Sequence, residues 1–137
     1  MVIDTSVLLA ILFDESDAEG FEIALEADSS RLMSAASVLE AAIVVEARLG
    51  EAGGRELDLL LHRARITIAA FTAEQVDVAR QAFRTYGKGR HPAGLNYGDC
   101  FPYALSKMSG EALLFKGNDF VQTDVERWVP PRTSEDS

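Results

Sequence analysis

A single cysteine, Cys100, stands among the 137 residues, so no disulfide can close within the chain and no cysteine pair is available for a metal or redox site. Alone, it reads as a small buried residue. Basic side chains are also scarce. The 13 Lys and Arg against 22 Asp and Glu leave a formal charge of −9, the opposite of the footprint of a protein that grips nucleic acid with its whole surface. Any such contact is therefore local. One basic patch exists: Arg84, Lys88, Arg90 and His91, spread through a segment punctuated by Gly87, Gly89, Pro92 and Gly94 that reads as a loop able to hold a phosphate backbone. The acidic excess also suits a basic protein partner. No apolar run approaches a membrane span, and Val2 and Ile3 come with no basic segment ahead of an apolar region. A cytoplasmic protein with no membrane association is the expectation.

What is present is ordinary globular material, 47% apolar and 26% charged, in a length that suits one domain with a real core. Short apolar runs at Val2–Ile3, Arg31–Met33, Ile66–Ile68 and Leu113–Phe115 read as strands, with Trp128 and Val129 a candidate fifth. Helical spacing fills the intervals. Val7, Leu8, Ile11 and Leu12 follow a cap at Thr5 or Ser6, and Phe21, Ala24 and Leu25 give a second amphipathic stretch. Val38 to Val45 continue from a cap at Ser34 or Ser37. Gly50, Gly53 and Gly54 end that helix, and Leu57, Leu60, Leu61 and Ala64 mark another. Thr72 with Gln75 makes a capping-box start for a helix to Tyr86, and Asn96 with Asp99 opens one that closes at Gly110. Strands alternating with helices describe an α/β fold with a parallel sheet. Residues 1–129 form the expected domain, and 130–137, beyond Pro130 and Pro131, a polar tail expected to be unordered.

Four carboxylates occupy related places in that plan. Asp4 ends the first strand, Glu40 lies early in a helix, Asp99 sits in the first turn of another, and Asp119 follows the fourth strand. In an open α/β sheet, strand ends and the starts of following helices meet along one edge, where ligands bind. Like charges gathered there either raise their pKa values or recruit a cation, and an all-oxygen donor set suits Mg²⁺ or Mn²⁺. Each residue also has a plain structural reading: Asp4 as a helix cap, Glu40 as the far end of a capping box with Ser37, Asp99 likewise with Asn96, and Asp119 as part of a turn.

The pieces Val2-Ile3-Asp4-Thr5-Ser6, Ser37 to Glu40, Asn96-Tyr97-Gly98-Asp99-Cys100 and Leu113 to Phe120 resemble, in order and separation, the PIN-domain ribonucleases and among them the VapC toxins of toxin–antitoxin pairs. The resemblance covers the chain to about residue 129. It implies an α/β/α sandwich around a short parallel sheet and a metal-dependent ribonuclease. It matches Asp4 and Asp99 to the family's metal-binding aspartates, with Mg²⁺ or Mn²⁺ as cofactor, and Glu40 to its helix-borne acid. The fourth acid is Asp119, with Asp124 a nearby competitor, and Thr5 and Ser6 match pocket-lining positions. It implies an RNA substrate, a cognate VapB-type antitoxin that places an arginine in the acidic pocket, and a homodimer or a toxin–antitoxin hetero-oligomer, to which Leu57 to Leu61 could contribute. His62 and His91 lie apart in the sequence and do not suggest a metal-free, imidazole-based ribonuclease. The competing class is a receiver-like or catalytically inactive metal-binding module. A receiver needs a lysine beside its acceptor aspartate, and Lys116 is the one well-placed candidate.

Overall fold

A computed structural model describes residues 1–132 of the chain. The apolar runs become strands of two or three residues: β1 (Val2–Ile3), β2 (Leu32–Ser34), β3 (Thr67–Ala69) and β4 (Leu113–Leu114). Between them lie α1 (Thr5–Leu12), α2 (Ala18–Ala27), α3 (Ala35–Arg63), α4 (Ala73–Tyr86) and α5 (Cys100–Ser109). All strand pairings are parallel, in the order β3-β2-β1-β4. Every strand therefore points its carboxyl end to the same edge.

Alternation along the strands divides the core. Met1, Ile3, Met33 and Leu114 turn to the face covered by α1, α2 and α3, where they meet Val7, Leu8, Leu25, Leu57 and Leu60. Val2 and Leu113 turn to the other face, with Leu95, Tyr103, Leu105, Phe115 and Phe120 beside α4 and α5. This is the expected α/β/α sandwich. Leu57 and Leu60 are spent on the core, so of the leucines in that stretch Leu59 alone stays well exposed. The chain's amino group is buried at the opposite edge, bonded to Asp28, Glu111 and the Ser30 carbonyl, and Asp28 also accepts from Trp128 Nε1.

Several local expectations shift. β2 and β3 each run one residue later than the apolar pattern suggests, because Ser34 pairs with Ala69 before it caps α3. The helices expected on either side of the glycines run on as one element, broken at Gly50, whose φ of 69° and ψ of −163° a residue with a side chain resists. Gly53 and Gly54 are helical. Asp4, not Thr5 or Ser6, caps α1. The Thr72 hydroxyl caps α4 as expected, but the Gln75 amide turns to the Ala70 carbonyl instead of closing the box. Among the described residues Trp128–Val129 does not form a fifth strand. Leu113 bonds to Glu126 and Trp128 in a single bridge, and Pro130 and Pro131, lacking donors, cannot extend it. Of the expected polar tail, residues 133–137 lie outside the described residues. Among the described residues no helix is long and apolar enough to cross a membrane.

Candidate active site

Asp4 leaves β1 at the carboxyl edge and turns into α1. Its Oδ2 accepts from the Ser6 backbone N–H at 3.1 Å and from the Ser6 hydroxyl at 2.5 Å, and that hydroxyl in turn accepts from the Lys116 N–H after β4. Ser6 thus ties the first strand's aspartate to the fourth strand's loop. Thr5 donates to the Ser37 carbonyl at 3.2 Å, bringing the start of α3 against the same turn. The structural reading of Asp4 as a cap is correct and does not compete with a role in the site, because the cap uses only one carboxylate oxygen.

Asp99 is the N-cap of α5. It exchanges two bonds with Asn96, backbone N–H of each to side chain of the other, both at 3.0 Å, which is the reciprocal box that the spacing predicts. The same spacing misleads at Glu40. Ser34 caps α3, and Ser37 is already inside the helix, fully buried with no partner for its hydroxyl among the described residues. Glu40 is consequently released from any capping role. Its carboxylate lies against Gly98: a Cβ at that position would fall on Glu40 Oε2. This steric fit was not legible in the sequence.

The two candidates for the fourth acid have different surroundings. Asp124 accepts from the Tyr103 hydroxyl at 2.5 Å and pairs with Lys107 at 3.0 Å, one and two turns further along α5 than Asp99. Asp119 instead faces Asp99 and Asp4, and its charge acts on both. Burial pushes Asp4 up to about 6; the Ser6 bonds oppose this, and the Glu40 and Asp119 charges reinforce it. Burial likewise pushes Asp99 up to about 7, opposed by the Asn96 bond and reinforced by Asp119 and Asp4. The edge thus brings all four predicted carboxylates into one electrostatic unit.

Among the described residues no basic side chain from the loop after β4 pairs with these carboxylates. Lys116, the lysine a receiver domain would direct at its acceptor, sends its Nζ to Glu15 and Asp17. Among the described residues no three His, Cys, Asp or Glu side chains close on a single ion. Asp4 is turned onto Ser6 and Asp99 onto Asn96, which like-charge repulsion favours. A magnesium-like ion needs no closed cage, since it keeps several waters and takes one or two carboxylates. Two buried carboxylates of raised pKa, with an unpartnered Ser37 hydroxyl at the neighbouring helix start, fit such an ion chemically. His62 is exposed on α3 and His91 accepts from the Ala93 N–H in its loop, so the histidines do not meet.

Comparison with known proteins supplies the lineage. The family model for the PIN domain matches residues 1–126. Ribonuclease VapC30 of Mycobacterium tuberculosis is 67% identical over 125 residues, covering 91% of this chain and 95% of its own, and Ribonuclease VapC of Mycolicibacterium smegmatis is 65% identical, covering 91% and 97%. Among solved structures, Mycobacterium tuberculosis VapC20, described as a sarcin–ricin loop cleaving toxin, superposes with a TM-score of 0.73 at 16% identity over 95% of this chain and 98% of its own. VapBC2 of Rickettsia felis, bound to a fragment of promoter DNA, gives 0.73 at 15% identity over 93% and 98%. These last two speak to the fold.

Proposed function

The chain belongs to the PIN-domain family, in its VapC branch, and on that premise we propose that its acidic edge hydrolyses RNA phosphodiester bonds as the toxin half of a toxin–antitoxin pair. The observation that carries the chemistry is the convergence of Asp4, Glu40, Asp99 and Asp119, with Asp4 and Asp99 buried and their pKa values raised. Asp4 and Asp99 are the residues that would hold Mg²⁺ or Mn²⁺. When bound, the ion supplies Lewis acidity toward a phosphate oxygen and an acidified water. Ser6 fixes the Asp4 carboxylate, leaving its second oxygen for the ion. Glu40, set by Gly98, would accept the proton of the attacking water, and Asp119 adds its negative charge beside Asp99 and Asp4. No covalent intermediate is required.

The same pocket suits an inhibitor. A guanidinium from a VapB-type antitoxin would pair with these carboxylates in a fixed fork and exclude the cation, and the −9 charge favours a basic partner segment. A homodimer or a toxin–antitoxin hetero-oligomer is the expected assembly. The test is cleavage of an end-labelled structured RNA by antitoxin-free protein with Mg²⁺, with Mn²⁺ and with EDTA, beside a folded Asp4→Asn control. Metal-dependent cuts that vanish in the control are expected; cutting that survives in EDTA or in the variant would overturn the mechanism.

A further inference from the structure

Between α4 and the start of α5 lies a cleft of about 610 Å³ that the hydrolytic chemistry does not use. Its wall is aromatic. Phe71 meets Phe101 edge to face with centroids 4.7 Å apart, and Tyr97 meets Phe101 in the same way at 4.9 Å. Tyr97 is nonetheless 80% exposed, the most exposed of the large apolar side chains. Its neighbour Gly98 abuts Glu40, and Asp99 follows, so the ring stands at the rim of the acidic pocket. The other wall carries Arg80 and Arg84, one turn apart on the same face of α4. Arg84 bonds only Gln81, at 3.3 Å, and Arg80 has no hydrogen-bond partner among the described residues.

We propose that this cleft is a nucleobase subsite, in which a base flanking the scissile phosphate stacks on Tyr97 and the adjoining phosphate is met by Arg80 and Arg84. The assignment rests on the ribonuclease reading and names how its substrate is held. Single-stranded RNA is recognised by stacking unpaired bases on aromatic rings and by cations along the backbone, and the two elements stand side by side here. The need is physical. An acidic pocket in a chain of charge −9 repels a polyanion, so the strand requires an anchor outside the pocket, and this arginine pair lines the cleft that holds Tyr97. A second copy of the chain fits less well, because a two-fold contact on this face would bring like arginines toward each other.

The test combines kinetics with a signal independent of turnover. Tyr97→Ala is expected to raise KM for the cleaved RNA by about tenfold with kcat little changed, and Tyr97→Phe and Tyr97→Trp to restore it. In a cleavage-silent Asp4→Asn background, the Tyr97→Trp fluorescence is expected to be quenched by single-stranded oligouridylate or oligoadenylate and not by an abasic backbone of equal length. A wild-type KM in Tyr97→Ala, alongside intact cleavage, would overturn the subsite and leave the nuclease standing. Base-dependent quenching with no cleavage by the wild type would do the reverse. Loss of a dimer in sedimentation of Tyr97→Ala, without base-dependent quenching, would assign the face to a contact between copies and overturn the proposal.

Discussion

Replacing Gly98 by alanine should disable the enzyme without unfolding it. Positive φ occurs at Gly50, Gly89, Gly94, Gly110 and Gly117 but not at Gly98, so space rather than backbone conformation demands glycine there. The added Cβ would fall on Glu40 Oε2, 3.0 Å from Cδ and 3.1 Å from Oε1, where ordinary contact begins at 3.4 Å. Glu40 is half-buried at the end of a flexible side chain, so its carboxylate can swing toward solvent at little cost to the fold. The swing is on the order of 1 Å, and a misplacement of that size costs about 10²-fold in rate, or about 3 kcal/mol of barrier. Single-turnover cleavage of end-labelled RNA should show that loss with KM within a few fold, and the thermal midpoint should stay near the wild-type value. The decisive control is Glu40→Ala: in that background Gly98→Ala should add almost nothing, since the two act through one carboxylate. A wild-type rate for Gly98→Ala, or an equal loss in both backgrounds, would refute the placement of Glu40 as the base.

Other expectations concern stability. Asp4 and Asp99 carry pKa values of about 6 and about 7 in the fold against 3.8 in the open chain, so the native state binds more protons across that interval and stability falls as pH rises through it. In EDTA, Asp4→Asn should therefore melt above the wild type at about pH 8 and level with it at about pH 4; a variant less stable than the wild type at the higher pH would contradict the burial argument. Asp28→Ala removes the partner of the chain's amino group and of Trp128 Nε1 and should cost about 2 kcal/mol in urea unfolding. No change would mean that Glu111 and the Ser30 carbonyl suffice. Gly50→Ala, which forces a side chain into the φ of 69° and ψ of −163° that break α3, should cost roughly 1–3 kcal/mol by the same measurement. A neutral result would show that the break is not required.

The site was legible where chemistry is local and obscure where it depends on contact across the fold. Asn96 and Asp99 form the reciprocal box that their spacing announces. Ser37 and Glu40 have the same spacing and form none, because β2 extends to Ser34 and the helix starts there. The spacing is identical; register decides between them, and the register of β2 is set by pairing with β3. Asp119 and Asp124 could be separated only once Tyr103 and Lys107 were seen to engage the latter. Gly98 gave no signal, since the reason for its missing side chain is a carboxylate on another helix.

The carboxylates also explain why the sheet can be so short. Strands of two or three residues bury little by themselves, yet β1, with Met1 ahead of it, stands at zero exposure and hands the chain directly to Asp4. The apolar run anchors the aspartate by both faces at once, Ile3 toward α1 and α3, Val2 toward α5 and β4. Burying a carboxylate against like charges disfavours its ionised form, and only a rigid support can hold it there. The fully buried strand supplies that support, and Ser6 completes it by linking Asp4 to the loop after β4. Cutting Ser6 back to alanine should therefore loosen the side-chain link between Asp4 and the loop after β4, leaving the Asp4 N–H to Leu114 carbonyl bond as the tie between β1 and β4 at the acidic edge. It should also raise the Asp4 pKa further, because the bonds that oppose the effect of burial come from Ser6. The pH at which metal-dependent cleavage reaches half its maximum should then move upward, and an unmoved profile would separate Asp4 from the titration that governs the reaction.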